Sequence, residues 1–174
     1  MLNYSYTSRR ELEEHSFHPA VALLVPLAAI LLQSLLPRPV PFLTILDLPL
    51  IITIFFAVSR RSPIAGALTG ATIGLLQDAL TGQPIGVNGI AKTLIGYIGA
   101  SIGIQVDVEA LTTRILMNFL FSLLNSVLLF FIVRRLLGLS SQQFIWKHEL
   151  IRAVINTAVA VPIFLSLDRA KRMR

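Results

Sequence analysis

Six mainly apolar segments, separated by short polar stretches, follow the polar amino-terminal part of the chain. They cover residues 20–36, 42–58, 63–81, 87–104, 112–134 and 150–167. A membrane-spanning helix needs about 20 mainly apolar residues, with about 17 as the lower limit. The pattern therefore predicts an all-α membrane protein, a compact bundle of six transmembrane helices.

Polar and charged residues mark both ends of the chain. Residues 1–19 hold three acids, Glu11, Glu13 and Glu14, between a basic pair and the first apolar run. A cleavable signal peptide has an apolar run directly after its basic residues. We therefore expect 1–19 to be a retained polar segment, 20–168 a single transmembrane domain, and 169–174 a basic carboxy-terminal tail.

Composition agrees with a membrane protein. Hydrophobic residues make up 55% of the chain and charged residues 14%, and the mean hydropathy is +0.75. Soluble domains carry roughly 25% charged residues. The chain has no cysteine, which excludes disulfides and thiol chemistry. Its net charge of +6 is concentrated at the edges of apolar runs, which favours contact with lipid headgroups over binding of nucleic acid.

The distribution of basic residues between the loops predicts the orientation. With a cytoplasmic amino terminus, one side of the membrane holds nine basic residues and the other holds five. Because the richer side is normally cytoplasmic, both termini are predicted to lie inside. Arg134 and Arg135 fall on the side with fewer basic residues, so residues 134–148 are expected to lie along the membrane interface. The sequence does not decide on which side of the membrane they lie.

Glycine recurs at every fourth position of the third segment, at Gly66, Gly70 and Gly74. These residues share one face of a helix. Small residues allow helices in lipid to approach closely, and such contacts hold membrane bundles together. The face serves either packing within the chain or contact with a partner.

Charged residues near the turn between the third and fourth segments need partners at membrane depth. Asp78 follows Gly74 by four residues, and Asn88 and Lys92 share a face of the next helix. The short separation predicts a buried Asp78–Lys92 ion pair, which either fixes the hairpin or belongs to a ligand or partner site. If the two pair, changing both to amides should be tolerated better than changing either alone.

Polar residues also line one face of the fifth helix, at Arg114, Asn118, Ser122 and Asn125, and Asn156 on the last helix is a candidate counterpart. They act either as interhelical hydrogen bonds or as the lining of a cavity. Asp47 precedes Pro49 where the second helix should begin, so it is either a helix cap or part of a partner or helix-packing site.

Catalytic chemistry has little support in the sequence. His15 and His18 have a metal-ligand spacing, but no second pair of ligands lies near them, and His148 lies at a span edge. No nucleophile-and-base arrangement and no phosphate-binding glycine loop is recognisable. We therefore expect no catalytic, cofactor or metal site.

The ordered motifs of residues 47–100 resemble the MreD family. They are Asp47-Leu48-Pro49, then Gly66, Gly70 and Gly74-Leu75-Leu76-Gln77-Asp78, then Gly82, Pro84, Gly86 and Asn88. The resemblance implies a multi-pass protein of the bacterial inner membrane within the machinery that builds the lateral cell wall. It implies direct binding of MreC, indirect links to MreB and cell-wall synthases, no catalytic activity, and an architecture similar to the substrate-binding subunits of energy-coupling-factor transporters.

Two functions remain after this resemblance. One is a scaffold that docks MreC, as a monomer or a homodimer; the other is the substrate-binding subunit of a small-solute transporter. Tyr97 is alone among the tyrosines and the tryptophan in falling inside a predicted span. Solute pockets usually combine apolar walls with several convergent polar groups. The shortage of tyrosine and tryptophan inside the spans favours the scaffold.

Overall fold

The computed structural model describes residues 19–35, 44–106, 110–138 and 144–171 of the chain. Every regular element in these residues is a helix, and their bounds are α1 Pro19–Leu35, α2 Leu48–Arg60, α3 Pro63–Thr81, α4 Val87–Gln105, α5 Leu111–Leu136 and α6 Trp146–Lys171. The prediction of an all-α protein is confirmed. The polar segment 1–18 and the end of the tail, 172–174, lie outside the described residues.

Helix α2 is the centre of the bundle and packs against each of the other five helices. All its residues from Leu48 to Ser59 are buried. The helix begins later than the apolar run 42–58 because Asp47 caps it, with its Oδ1 accepting a hydrogen bond from the Leu50 amide at 3.0 Å. The predicted cap is confirmed, and α2 is only 13 residues long.

Consecutive helices run in opposite directions. The end of α1 meets the start of α2, where Gln33 bonds to Leu46. Helices α3 and α4 form an antiparallel hairpin around a turn in which Gly82 and Gly86 adopt φ of 67° and 103°. Positive φ is readily adopted only by glycine, so these residues permit the tight turn. The ends of α1, α3 and α5 consequently lie at the same end of the bundle as the starts of α2, α4 and α6.

Three of the described helices are long and apolar enough to cross a membrane: Val87–Gln105 of α4, Leu111–Arg135 of α5 and Trp146–Arg169 of α6. Helices α1 and α2 are apolar but shorter. Helix α3 has 19 residues, but its glycines, threonines, Gln77 and Asp78 reduce its hydropathy. Apolar length alone therefore supports three spans.

The basic residues near the last two helices lie within regular structure. Arg134 and Arg135 form the last turn of α5, and α6 already begins at Trp146. Residues 134–136 and 146–148 of this stretch are therefore helical, while residues 139–143 lie outside the described residues. That the stretch lies along the interface stays a prediction. Helix α6 also extends to Lys171, so part of the predicted tail, 169–171, belongs to it.

Candidate functional site: a buried polar network

The recurring glycines of α3 all lie against the backbone of α4: Gly66, Gly70 and Gly74. A Cβ added at Gly70 would overlap the carbonyl oxygen of Lys92, and one added at Gly74 would lie 2.7 Å from the Cα of Gly89. Gly96 on α4 meets the α3 backbone in the same way. The close approach that the glycine pattern predicted is present, and it is a contact within the chain.

Asp78, near the end of α3, caps the start of α4. Its carboxylate accepts hydrogen bonds from the backbone amides of Gly86, Asn88 and Gly89, at 2.9 to 3.2 Å, and from the Asn88 side-chain amide at 2.8 Å. Free amides at a helix amino terminus carry a partial positive charge of about half a unit. The backbone of α4 therefore stabilises a fully buried carboxylate at this position.

Lys92 pairs with Asp47 and not with Asp78, so the predicted Asp78–Lys92 ion pair is wrong. The Lys92 ammonium donates to Asp47 Oδ2 at 3.0 Å and to Asn88 Oδ1 at 3.0 Å. Asn88 links Lys92 to Asp78, since its amide nitrogen bonds to the Asp78 carboxylate. Because backbone amides of α4 already bond to the Asp78 carboxylate, the Lys92 ammonium is free to pair with Asp47 at the start of α2.

Two asparagines join Asp47 to the last helices. The Asp47 backbone amide donates to Asn156 Oδ1 at 2.9 Å, and Asn125 Nδ2 lies 3.5 Å from Asp47 Oδ2. We call Asp47, Asp78, Asn88, Lys92, Asn125 and Asn156 the polar network; all six are buried. It joins α2, α3, α4, α5 and α6 near one end of the bundle. Asn156 was predicted as a counterpart of the α5 amides, but Asn125 and Asn156 each bond to Asp47 instead.

Gln33 and Arg152 hold the segment before α2, and sequence reasoning missed both. Gln33 Nε2 donates to the Leu46 carbonyl at 2.8 Å, and its Oε1 accepts from the Leu48 amide at 3.1 Å. Arg152 Nε donates to the Ile45 carbonyl at 3.3 Å. These residues satisfy the backbone just before the cap, where a helix has no internal partners. A polar residue in an otherwise apolar α1 was the available signal for Gln33.

The polar residues of α5 lie at different levels of the bundle, with Arg114 near one end and Asn125 in the polar network near the other. Arg114 forms an ion pair with Asp168 of α6, a residue that the sequence reasoning did not single out. Asn118 is fully buried, and neither of its side-chain amide atoms has a hydrogen-bond partner in the described part of the chain. Arg114 and Asn118 therefore lie on the predicted face but outside the polar network.

Removing the Asp78 carboxylate should destabilise the hairpin strongly. Asp78→Ala leaves the buried amides at the start of α4 without their acceptor, and each such unsatisfied group costs about 1–3 kcal/mol. We expect a total loss on the order of 3 kcal/mol or more, measured as a lower unfolding temperature in detergent. Gln83→Ala, an exposed change in the same turn, is the control. Equal unfolding temperatures for both variants would contradict this role.

The Arg114–Asp168 pair should contribute less to the free energy of unfolding than the Asp78 carboxylate does, because Asp168 is partly exposed. Asp168→Asn is expected to lower the unfolding free energy by about 1 kcal/mol, the upper range for surface pairs. Arg169→Gln, which changes the exposed neighbour, should have no measurable effect. A chemical-denaturation series in mild detergent compares the two, and a larger loss for Arg169→Gln would refute the assignment.

A polar cavity of about 430 Å³ adjoins the polar network. Its walls come from α1, α3, α4, α5, α6 and the segment before α2, and its polar lining includes Gln33, Asp47, Gln77, Gln83, Asn88 and Arg152. Gln77 is buried, and its Oε1 has no hydrogen-bond partner among the described residues. The described residues that line this cavity include no aromatic side chain.

Metal-ligating groupings are not evident in the part of the chain that the structure describes. No group of three or more histidine, cysteine, aspartate or glutamate side chains is placed to hold a metal ion there. His148 is exposed and contacts Glu149, whereas His15 and His18 lie outside the described residues. The buried charges instead hold helices to one another.

Together, the apolar helices, the glycine-mediated hairpin and the internal charge pairs define a polytopic helical membrane protein with a buried polar core. The family model described as rod shape-determining protein MreD matches residues 16–170 of the 174-residue chain. The chain therefore belongs to the MreD family, a family of shape-determining membrane proteins and not of enzymes. A search of curated proteins gave no significant match, and neither did a search of solved structures.

Proposed function

We propose that this protein is a non-enzymatic subunit of the bacterial cell-elongation machinery in the inner membrane. It binds MreC directly and, through MreC, helps connect MreB filaments to lateral peptidoglycan synthesis. Membership of the MreD family supports the role in rod shape. The observation that favours a scaffold is that the buried charged residues, Asp47, Asp78, Lys92 and Arg114, are each bonded to groups of the same chain.

The proposed topology has six spans with both termini in the cytoplasm. The alternating helix directions and the excess of basic residues on one side support it. Helices α1 and α2 are short for spans, and a bilayer adapts to short helices by local thinning. The expected likeness to the substrate-binding subunits of energy-coupling-factor transporters is part of this proposal.

The surface available to MreC is apolar. Helices α5 and α6 are less buried than α4: 39% and 22% of their apolar windows are buried, against 56% for α4. Leu116, Leu120 and Val154 are more than half exposed. In lipid, a single-span partner associates with such a surface by close side-chain packing. We propose the exposed side of α5 and α6 as the docking surface.

Co-purification of tagged MreC from co-expressing cells tests this proposal. Leu116→Trp and Val154→Trp are expected to reduce capture, whereas Ile64→Trp, at a more exposed position of α3, should not. Unfolding temperatures of the purified variants show whether each remains folded. If wild-type protein is stable and monodisperse but never captures MreC, the scaffold proposal fails.

The polar cavity supports the alternative function, a substrate-binding subunit of a small-solute transporter. Its volume, about 430 Å³, lies within the range of small-molecule sites. The absence of aromatic side chains among its described lining residues argues against recognition of a vitamin ring. Thermal-shift measurements with water-soluble vitamins decide the matter. Stabilisation by one of them that is lost in Gln77→Leu would favour the transporter.

A further inference from the structure

A second groove lies on the outside of the bundle between α1 and α3, separate from the polar network. Its volume is about 340 Å³. One wall runs from Ala22 to Ile30 on α1, and the other runs from Ala65 to Leu76 on α3. Arg60, at the end of α2, supplies the charged group in its described lining. The groove is thus an apolar channel with a cation at one end.

The threonines in the α3 wall do not make the groove polar. Thr69 Oγ1 donates to the Ala65 carbonyl at 2.7 Å, and Thr72 Oγ1 donates to the Leu68 carbonyl at 2.9 Å. Both hydroxyl hydrogens are therefore directed at the helix backbone, and the threonines present mainly their methyl groups. Hydrocarbon fits such a wall better than a hydrogen-bonding solute.

Arg60 is held in place without neutralisation of its charge. Its guanidinium lies over the ring of Phe56, 5.7 Å from the centroid, and its Nη1 is 3.5 Å from Thr69 Oγ1. No carboxylate in the described part of the chain lies within ion-pair distance of it. An oriented guanidinium with free donors is well suited to a phosphate group.

We propose that the groove binds one anionic phospholipid, with its phosphate at Arg60 and an acyl chain along α3. The α3 wall from Ala65 to Leu76 rises about 16 Å at about 1.5 Å per residue. That length matches one leaflet, half of a hydrocarbon core of about 30 Å. A transmembrane helix of a partner would instead need a groove along the whole core, so the length favours a lipid.

Native mass spectrometry of the full-length protein in detergent tests the site. The protein is titrated with palmitoyl-oleoyl phosphatidylglycerol or, as the zwitterionic counterpart, palmitoyl-oleoyl phosphatidylcholine. The first phosphatidylglycerol molecule should bind about fivefold more tightly, the effect of one basic residue on an anionic lipid. Arg60→Gln should abolish this preference. Arg61→Gln, at the adjacent residue outside the described lining, should retain it.

Two groove-filling variants, Thr72→Phe and Leu68→Trp, test the acyl-chain part of the proposal. Both positions are exposed, so larger side chains there leave the core intact, and unfolding temperatures verify this for each variant. Both should weaken binding of the first molecule of either lipid. If Arg60→Gln and Arg61→Gln lose the preference for phosphatidylglycerol equally, the preference comes from general surface charge, and the proposed site is overturned. Unchanged lipid binding in folded groove-filling variants would also overturn the lipid site. If these variants keep lipid binding but lose MreC capture, the groove binds MreC and the lipid proposal is overturned as well.

Discussion

Gly70→Ala is expected to lower the free energy of unfolding by on the order of 3 kcal/mol, the upper end of the usual range for overpacking. A Cβ at Gly70 would overlap the carbonyl oxygen of Lys92 and lie 2.6 Å from its carbonyl carbon. Because these atoms belong to the backbone, no side-chain rotation relieves the overlap, and α3 and α4 must separate. The higher helix propensity of alanine, worth about 1 kcal/mol, offsets only part of this loss.

Gly99→Ala is the matched control for this prediction. A Cβ at Gly99 would lie 3.5 Å from the Ala57 Cβ and 3.7 Å from the Phe121 ring, which is ordinary contact. This variant should be neutral or slightly stabilising, by up to about 1 kcal/mol. Unfolding temperatures of both variants in the same detergent provide the comparison. Similar temperatures for the two would mean that close helix approach at Gly70 is unimportant.

The α3–α4 contact positions the polar network as well as the hairpin. Gly70 lies against the backbone of Lys92, and Gly74 lies against the backbone of Asn88. Separation of the two helices would therefore also displace the ammonium from Asp47 and the α4 amides from Asp78. For this reason, loss of MreC capture in a Gly70 or Asp78 variant would report disrupted folding, and exposed positions test docking more directly.

Local sequence features predicted the helices and their closest contacts well. The apolar run 63–81 coincides with α3, because Pro63 suits the first turn and Gly82 ends the helix with a positive φ. Asp47 beside Pro49 likewise indicated the start of α2. These features depend on neighbours in sequence, so one sequence is sufficient to recognise them.

Side-chain pairing over long separations could not be predicted in the same way. Lys92 lies 14 positions from Asp78 in sequence, yet its partner Asp47 is 45 residues away. The choice depends on the α4 backbone satisfying Asp78 and on α2 occupying the centre of the bundle. The Arg114–Asp168 pair, 54 residues apart, likewise follows only once α5 and α6 are known to be antiparallel.

Breaking the Asp47–Lys92 pair should have the second of the two largest effects. Lys92→Met leaves the Asp47 carboxylate buried without its cation, and loss of one partner of a buried pair costs about 3–5 kcal/mol. Asp47→Asn removes the opposite charge but keeps an oxygen that can accept from the Leu50 amide, so the cap of α2 is preserved. The double variant has neither buried charge of the pair and should be more stable than the sum of the single losses implies.

Double-mutant cycles distinguish the Asp47–Lys92 pair from the Asp78–Lys92 pair that sequence proximity predicts. Unfolding free energies of the two single variants and the double variant give the coupling energy, which should reach about 2 kcal/mol or more for residues that pair directly. The cycle for Asp78→Asn and Lys92→Met should give a smaller coupling, because Asn88 links these two groups indirectly. A larger coupling energy in the Asp78 cycle than in the Asp47 cycle would contradict this assignment. It would mean that Lys92 pairs with Asp78. If the Asp47 cycle dominates, the charge on α4 serves to hold the hairpin to the central helix α2.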